Sequence, residues 1–212
     1  MFDLDGTLVD SFEAITESVN HARRVFDLPA MDHGDIKSHV GRGLEVLMAD
    51  LVGPDLVEEG VRAFRDRYAT AYAAGTTLLP GVHDALARLS DRGIRMSVAS
   101  NKPARFGRPI CEQLGIDKFF CAILGPDVVG TTKPHPAMLE RAITEMAVQT
   151  SDAIYVGDML LDIETAAQAG VTVALVATGS CSEADLRMSG ETTVSVLREL
   201  ADLLLDGTSL TT

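Results

Sequence analysis

The sequence lacks any apolar run long enough to span a bilayer, so no transmembrane helix is expected. It has no internal repeat and no low-complexity tract, and its 46% hydrophobic content argues against disorder. Cysteine is scarce. Cys111, Cys121 and Cys181 are widely spaced and form no Cys-x-x-Cys pair, and an odd count without a framework suits a reducing compartment. The five histidines make no zinc-type spacing. Positive charge is also short: 18 Lys and Arg against 31 Asp and Glu leave a net −13, which repels a phosphate backbone and makes nucleic acid a poor partner. The same excess repels small anions, so an anionic substrate would need local cations or a metal. The amino terminus is acidic and has no signal-peptide pattern. The expectation is a cytoplasmic protein, monomer or homodimer, with no membrane and no nucleic-acid partner.

What is present begins at once. Residues 1–10 read Met-Phe-Asp-Leu-Asp-Gly-Thr-Leu-Val-Asp. Asp3 follows an apolar residue, and Gly6-Thr7 argue that the strand stops near Asp3. The loop then presents Asp3 and Asp5 at a strand's carboxyl end, where open α/β sheets keep their ligand sites. Alone, an Asp-x-Asp is more often a polar turn. With partners it can be a nucleophile and a proton carrier.

Along the chain, residues 12–28, 32–40, 44–52 and 55–74 show helical spacing and nothing between 12 and 74 reads as a strand. From 81 on, helices alternate with short apolar strands at 94–100, 119–124, 153–156 and 171–176, and a terminal helix covers 194–205. A polar tail follows Gly207. Alternation of this kind implies a parallel sheet with right-handed crossovers. The fold expected is α/β: a Rossmann-like parallel-sheet core, residues 1–11 and 79–212, with an inserted all-helical cap, residues 12–78.

The strand ends supply further candidates. Asp158 directly follows an apolar strand and reads as a metal ligand at the same sheet edge as Asp3. Asp162, one helical turn on, reads as a carboxylate that orients the metal's own ligands, although acids at a helix amino terminus commonly just suit the dipole. Lys133 sits in Lys-Pro-His-Pro, whose stiff flanks argue for a held ammonium rather than a loose surface lysine. Lys102 makes a weaker form of the same case. Ser100 ends a strand, and its hydroxyl with the next backbone N–H, that of Asn101, can hold a phosphoryl oxygen. Gly6 joins Asn101 as a phosphate-binding position. Arg42, between two glycines in the helical block, is a solvated arginine or a lid residue reading the leaving group. On the second reading Arg42→Ala changes substrate preference more than turnover of a generic ester. Two carboxylates so close to a dianionic ester need a divalent cation, and Mg2+ fits oxygen ligands of this kind.

In order, Asp3-Leu-Asp5-Gly-Thr7-Leu-Val-Asp-Ser11, Ser100-Asn-Lys-Pro, Lys133-Pro and Gly157-Asp158-x-x-x-Asp162 resemble the four motifs of the haloacid dehalogenase-like phosphatase superfamily, across almost the whole chain. The resemblance implies Asp3 as nucleophile, Asp5 as general acid and base, and Ser100 with Lys133 as phosphate binders. It also implies Mg2+ held by Asp3, the Asp5 backbone carbonyl and Asp158. Within the superfamily, Val40-Gly-Arg-Gly-Leu and Ser100-Asn-Lys-Pro are most similar to phosphoglycolate phosphatases, which implies hydrolysis of a small phosphate monoester through an aspartyl phosphate. Asp5 argues against phosphonoacetaldehyde hydrolases, and the first motif argues against the dehalogenases. A phosphomutase of the beta-phosphoglucomutase type, a pyrophosphatase, a nucleotidase and a truncated non-catalytic binding protein remain as alternatives. A phosphorelay receiver shares the residue types but not the length. Two departures stand out. Ser100 replaces the common threonine and keeps the hydroxyl. Only Met1 and Phe2 precede Asp3, so its strand is expected to be a stub, of reduced stability, that apolar residues added upstream would strengthen.

Overall fold

The computed structural model describes residues 1–207, so the polar tail lies, from 208 on, outside the described residues. Two groups of parallel strands make up most of the sheet. Phe120–Leu124 pairs with Met96–Ala99, and Ile154–Gly157 pairs with Thr172–Val176, which pairs with Thr193–Val194. Met1 to Asp3 joins the two groups. Phe2 bridges in parallel to Val98 on one side and Val156 on the other. The Phe2 N–H donates to the Ser97 carbonyl at 2.9 Å, and the Asp3 N–H donates to the Val156 carbonyl at 2.8 Å. The strand carrying Asp3 is therefore central to the sheet and only a few residues long.

Parallel strands are covered on both faces, which is why these read as nearly continuous apolar runs. Successive side chains alternate between the faces. Phe2, Val98, Val156 and Ala174 pack on one side with residues of the helices Val82–Asp91 and Leu197–Leu205. Met1, Ala99, Tyr155 and Leu175 pack on the other with residues of Ala137–Met146 and Leu160–Ala169. The result is a three-layer α/β/α arrangement, as expected from the alternation.

The helices Phe12–Val25, His33–Lys37, Leu44–Leu51 and Val57–Ala71 share a separate cluster built on Phe12, Ile15, Val19, Met48, Phe64 and Tyr68. The chain enters and leaves this block through a short antiparallel pair, Val9–Asp10 with Thr77–Leu78. Two-residue strands carry too little pattern to be read from sequence. The same holds for Thr193–Val194, which the expected helix 194–205 had absorbed; the helix begins at Leu197. Val194 is buried beside Val176, and that pairing overrides its place in a helical pattern.

Candidate active site

The carboxyl ends of adjacent strands converge. Asp3 follows the central stub, Ser100 follows Met96–Ala99, and Asp158 follows Ile154–Gly157. Lys133 arrives from the loop before Ala137–Met146 and is buried with them. Its ammonium lies 2.6 Å from Asp3 Oδ2, 2.7 Å from Asp162 Oδ1 and 3.1 Å from the Tyr155 hydroxyl. Burial works against that charge, but the Asp162 and Asp3 carboxylates outweigh it and hold the pKa well above the usual lysine range. Asp3 Oδ1 accepts the Leu4 N–H at 2.7 Å, which fixes the carboxylate's orientation.

Asp158 is fully buried. Its Oδ1 accepts from the Thr7 hydroxyl at 2.9 Å and its Oδ2 from the Ser180 N–H at 3.0 Å. Burial, then the Asp162 and Asp3 carboxylates, push its pKa well above the usual range. Gly6 (φ +82°) packs against it so closely that a Cβ there would lie 2.6 Å from Asp158 Oδ2. Asp162 is used up by its neighbours: Lys133 and Tyr155 meet Oδ1, while the Asp158 and Met159 N–H groups meet Oδ2. Four accepted bonds suit an organising carboxylate better than a metal ligand.

Asp5 stands apart from this cluster. Its two oxygens accept from the Lys102 ammonium at 2.9 and 2.7 Å, and Oδ1 also accepts from the Ser11 hydroxyl. Each of the two acids at the start of the chain thus has its own lysine. Ser100 Oγ accepts the Lys102 N–H at 3.2 Å, leaving the hydroxyl proton free to donate. Asn101 is a strut: its Nδ2 donates to the Gly41 carbonyl at 3.0 Å, and its Oδ1 accepts the Lys133 N–H at 2.7 Å.

Asp3, Asp5, Ser100, Asn101 and Lys102 line one cavity of about 80 Å3, together with Gly41, Gly43, Phe64, Arg65 and Tyr68 from the helical block. Arg42 is not in its wall. The loop meets the cavity through backbone, and the Arg42 guanidinium pairs instead with Asp50 at 2.6 Å, with its side chain 54% exposed. Sequence reasoning missed Tyr155, Ser180 and the cavity-lining face of Val57–Ala71. A tyrosine inside an apolar strand is the one signal available there, because a buried phenol needs a partner.

The donor set fits a hard divalent cation. Asp3, Asp158 and Asp162 offer oxygens within 4.8 Å of one another. Four carboxylates face only the two ammonium groups of Lys102 and Lys133, an excess of two negative charges. No helix among the described residues is long and apolar enough to cross a membrane.

Comparison with known proteins agrees with this geometry. The model of the haloacid dehalogenase-like hydrolase family matches residues 1–176. A phosphoglycolate phosphatase of Chromobacterium violaceum is 35% identical over 215 residues, covering 97% of this chain and 96% of that protein. One from Rhodospirillum rubrum is 32% identical over 194 residues, covering 86% and 80%. The crystal structure of a predicted phosphatase from Clostridium acetobutylicum superposes with a TM-score of 0.88 at 27% identity, covering 97% of this chain and 96% of that one. The chain belongs to the haloacid dehalogenase-like hydrolase family.

Proposed function

We propose that this hydrolase is a magnesium-dependent phosphatase of small phosphate monoesters, of the phosphoglycolate type, working through an aspartyl phosphate on Asp3. The observation that carries the reading is the division of labour between the two acids: both line one cavity, yet each is held by a different lysine. Asp3 is aligned by the Leu4 N–H and by Lys133, which suits attack on phosphorus. The ester P–O bond breaks as the Asp3–phosphorus bond forms, and Asp5, as general acid, gives a proton to the departing alkoxide. Asp5 then takes a proton from water, which attacks the phosphoryl group and releases phosphate and free Asp3. In this reading the Ser100 hydroxyl and the Lys133 ammonium bind the phosphoryl oxygens. Asp3, Asp158 and the Asp5 backbone carbonyl would hold Mg2+, which supplies neutralisation of the charge between carboxylate and phosphate. The small cavity supports a substrate of few heavy atoms.

Release of phosphate from 2-phosphoglycolate and ethyl phosphate, with and without Mg2+, tests the reading. The expected result is Mg2+-dependent release that falls by about 10⁴-fold or more in Asp3→Asn. Turnover without a divalent cation, or full activity in Asp3→Asn, overturns it.

A further inference from the structure

The helix Val57–Ala71 turns Phe64, Arg65 and Tyr68 toward the cavity above the acids, at the spacing that puts residues on one helical face. Tyr68 is 2% exposed, and its hydroxyl, beside the Lys102 ammonium, has no acceptor for its own proton. The Arg65 Nε is likewise buried and unpartnered, although the far end of the same guanidinium is 3.3 Å from Glu45 Oε1. Buried polar groups in folded proteins are normally satisfied, so two orphans on the wall of one cavity call for an explanation. Neither can swing away easily. The Tyr68 ring stacks on Phe64 at 5.3 Å and meets the edge of Phe106 at 5.2 Å, and Glu45 tethers Arg65. Just below, the Lys102 ammonium lies 4.9 Å from the Tyr68 ring centre.

Both orphans have a proton to donate, and the nearest charge beneath them is positive. A leaving group with no acceptor would leave the Arg65 Nε–H and the Tyr68 hydroxyl proton unpaired. We infer that Arg65 and Tyr68, with Lys102 beneath them, form a subsite for a carboxylate on the leaving group, so that the preferred substrate is a short phosphate monoester bearing a carboxylate at its other end. This rests on the phosphatase reading and adds to it the residues that select the substrate. The phosphoryl group lies toward the Asp3 floor, and the carboxylate points to the helical roof. A site built to pair a polar group discriminates strongly against the analogue that lacks it, because its own donors are then left unpaired.

The test compares 2-phosphoglycolate with ethyl phosphate, which keeps the chain but has a methyl in place of the carboxylate. The ratio of their kcat/KM values is expected to favour 2-phosphoglycolate and to fall by about 10- to 100-fold in Arg65→Gln, the range for one hydrogen bond to a charged group. In Tyr68→Phe, which keeps the stacked ring, it falls by about 3- to 10-fold, as for a single weaker bond. The loss should sit mainly in KM, since the carboxylate is bound alike in ground and transition states. A ratio unchanged in both variants, or both substrates reduced equally, overturns the inference while leaving the phosphatase intact. If the wild type hydrolyses neither ester, the phosphatase reading fails, and calorimetry still decides the subsite. Weaker binding of 2-phosphoglycolate to Asp3→Asn/Arg65→Gln than to Asp3→Asn supports it, and equal binding overturns it.

Discussion

The floor and the roof of the cavity obey opposite rules. On the floor every acid is hydrogen-bonded, although the acids outnumber the ammonium groups: Lys133 bridges Asp3 and Asp162, Asp158 accepts from Thr7 and Ser180, and Lys102 clamps Asp5. On the roof, Tyr68 and Arg65 carry buried donors with nothing to donate to. A floor satisfied before substrate arrives has its dipoles already aimed and needs no rearrangement during reaction. A roof left unsatisfied stores a discrimination that only the right ligand releases. Chemistry and selection are therefore built from different elements, strand ends for one and a helix face for the other.

The comparison is sharpened most by removing one group from the floor. Lys133→Met leaves Asp3 and Asp162 as buried acids without their counter-ion, and breaking a buried pair in this way costs about 3–5 kcal/mol. Urea unfolding should show that loss, with activity gone as well. A loss below about 1 kcal/mol would mean the floor is not a matched network.

The floor also depends on how its central strand is anchored. At the lower end of that strand a groove of about 460 Å3 opens between residues 93–96 and 152–154, next to Met1 and Phe2. The Met1 amine is buried, donates to the Ile154 carbonyl at 2.7 Å, and burial lowers its pKa from 8.0 to about 5. Between pH 5 and 8 the unfolded amine holds a proton that the folded one has lost. In a chain whose amine is that of Met1, stability therefore rises as pH rises through that window, by at most on the order of 4 kcal/mol. Four apolar residues joined to Met1 replace the amine with a peptide N–H and have the groove to fill. The pH slope should vanish and the melting temperature should rise by about 5 °C or more. An unchanged slope in the extended chain would show that the amine is not its source.

The roof predicts the opposite sign. Tyr68→Phe deletes a buried hydroxyl whose proton has no acceptor and should leave stability unchanged or raise it by up to about 1 kcal/mol, even as it lowers selectivity. A loss above about 1 kcal/mol would mean that the hydroxyl is already paired in the free protein.

This split also explains what the sequence disclosed. The floor was legible because strand-end chemistry is local: Asp3, Asp5, Ser100 and Asp158 each follow a short apolar run, and Lys133 is fixed by flanking prolines. Tyr155 escaped because a tyrosine inside an apolar strand looks like core. Arg65 and Tyr68 escaped because Val-Arg-Ala-Phe-Arg-Asp-Arg-Tyr reads as one more amphipathic turn, with three arginines and no local sign of which faces the cavity. Arg62 and Arg67 pair outward with Glu59 and Glu17. The parallel α/β class was legible from the alternation, whereas two-residue strands such as Val9–Asp10 are set by tertiary pairing alone.

The same limit accounts for Arg42. A guanidinium between two glycines in a loop near the site is an attractive reader of substrate, and the loop does reach the cavity, but through the backbone of Gly41 and Gly43. The Gly41 carbonyl is held by Asn101, which leaves the Arg42 side chain on the outer side against Asp50. An ion pair this exposed contributes below about 1 kcal/mol and is screened by salt. Arg42→Ala should therefore change the 2-phosphoglycolate to ethyl phosphate ratio by less than about twofold, well below the effect of losing a bond to a charged group. A selective fall as large as that expected of Arg65→Gln would transfer carboxylate recognition from the helix face to the loop, and the unpaired donors of the roof would then need another ligand.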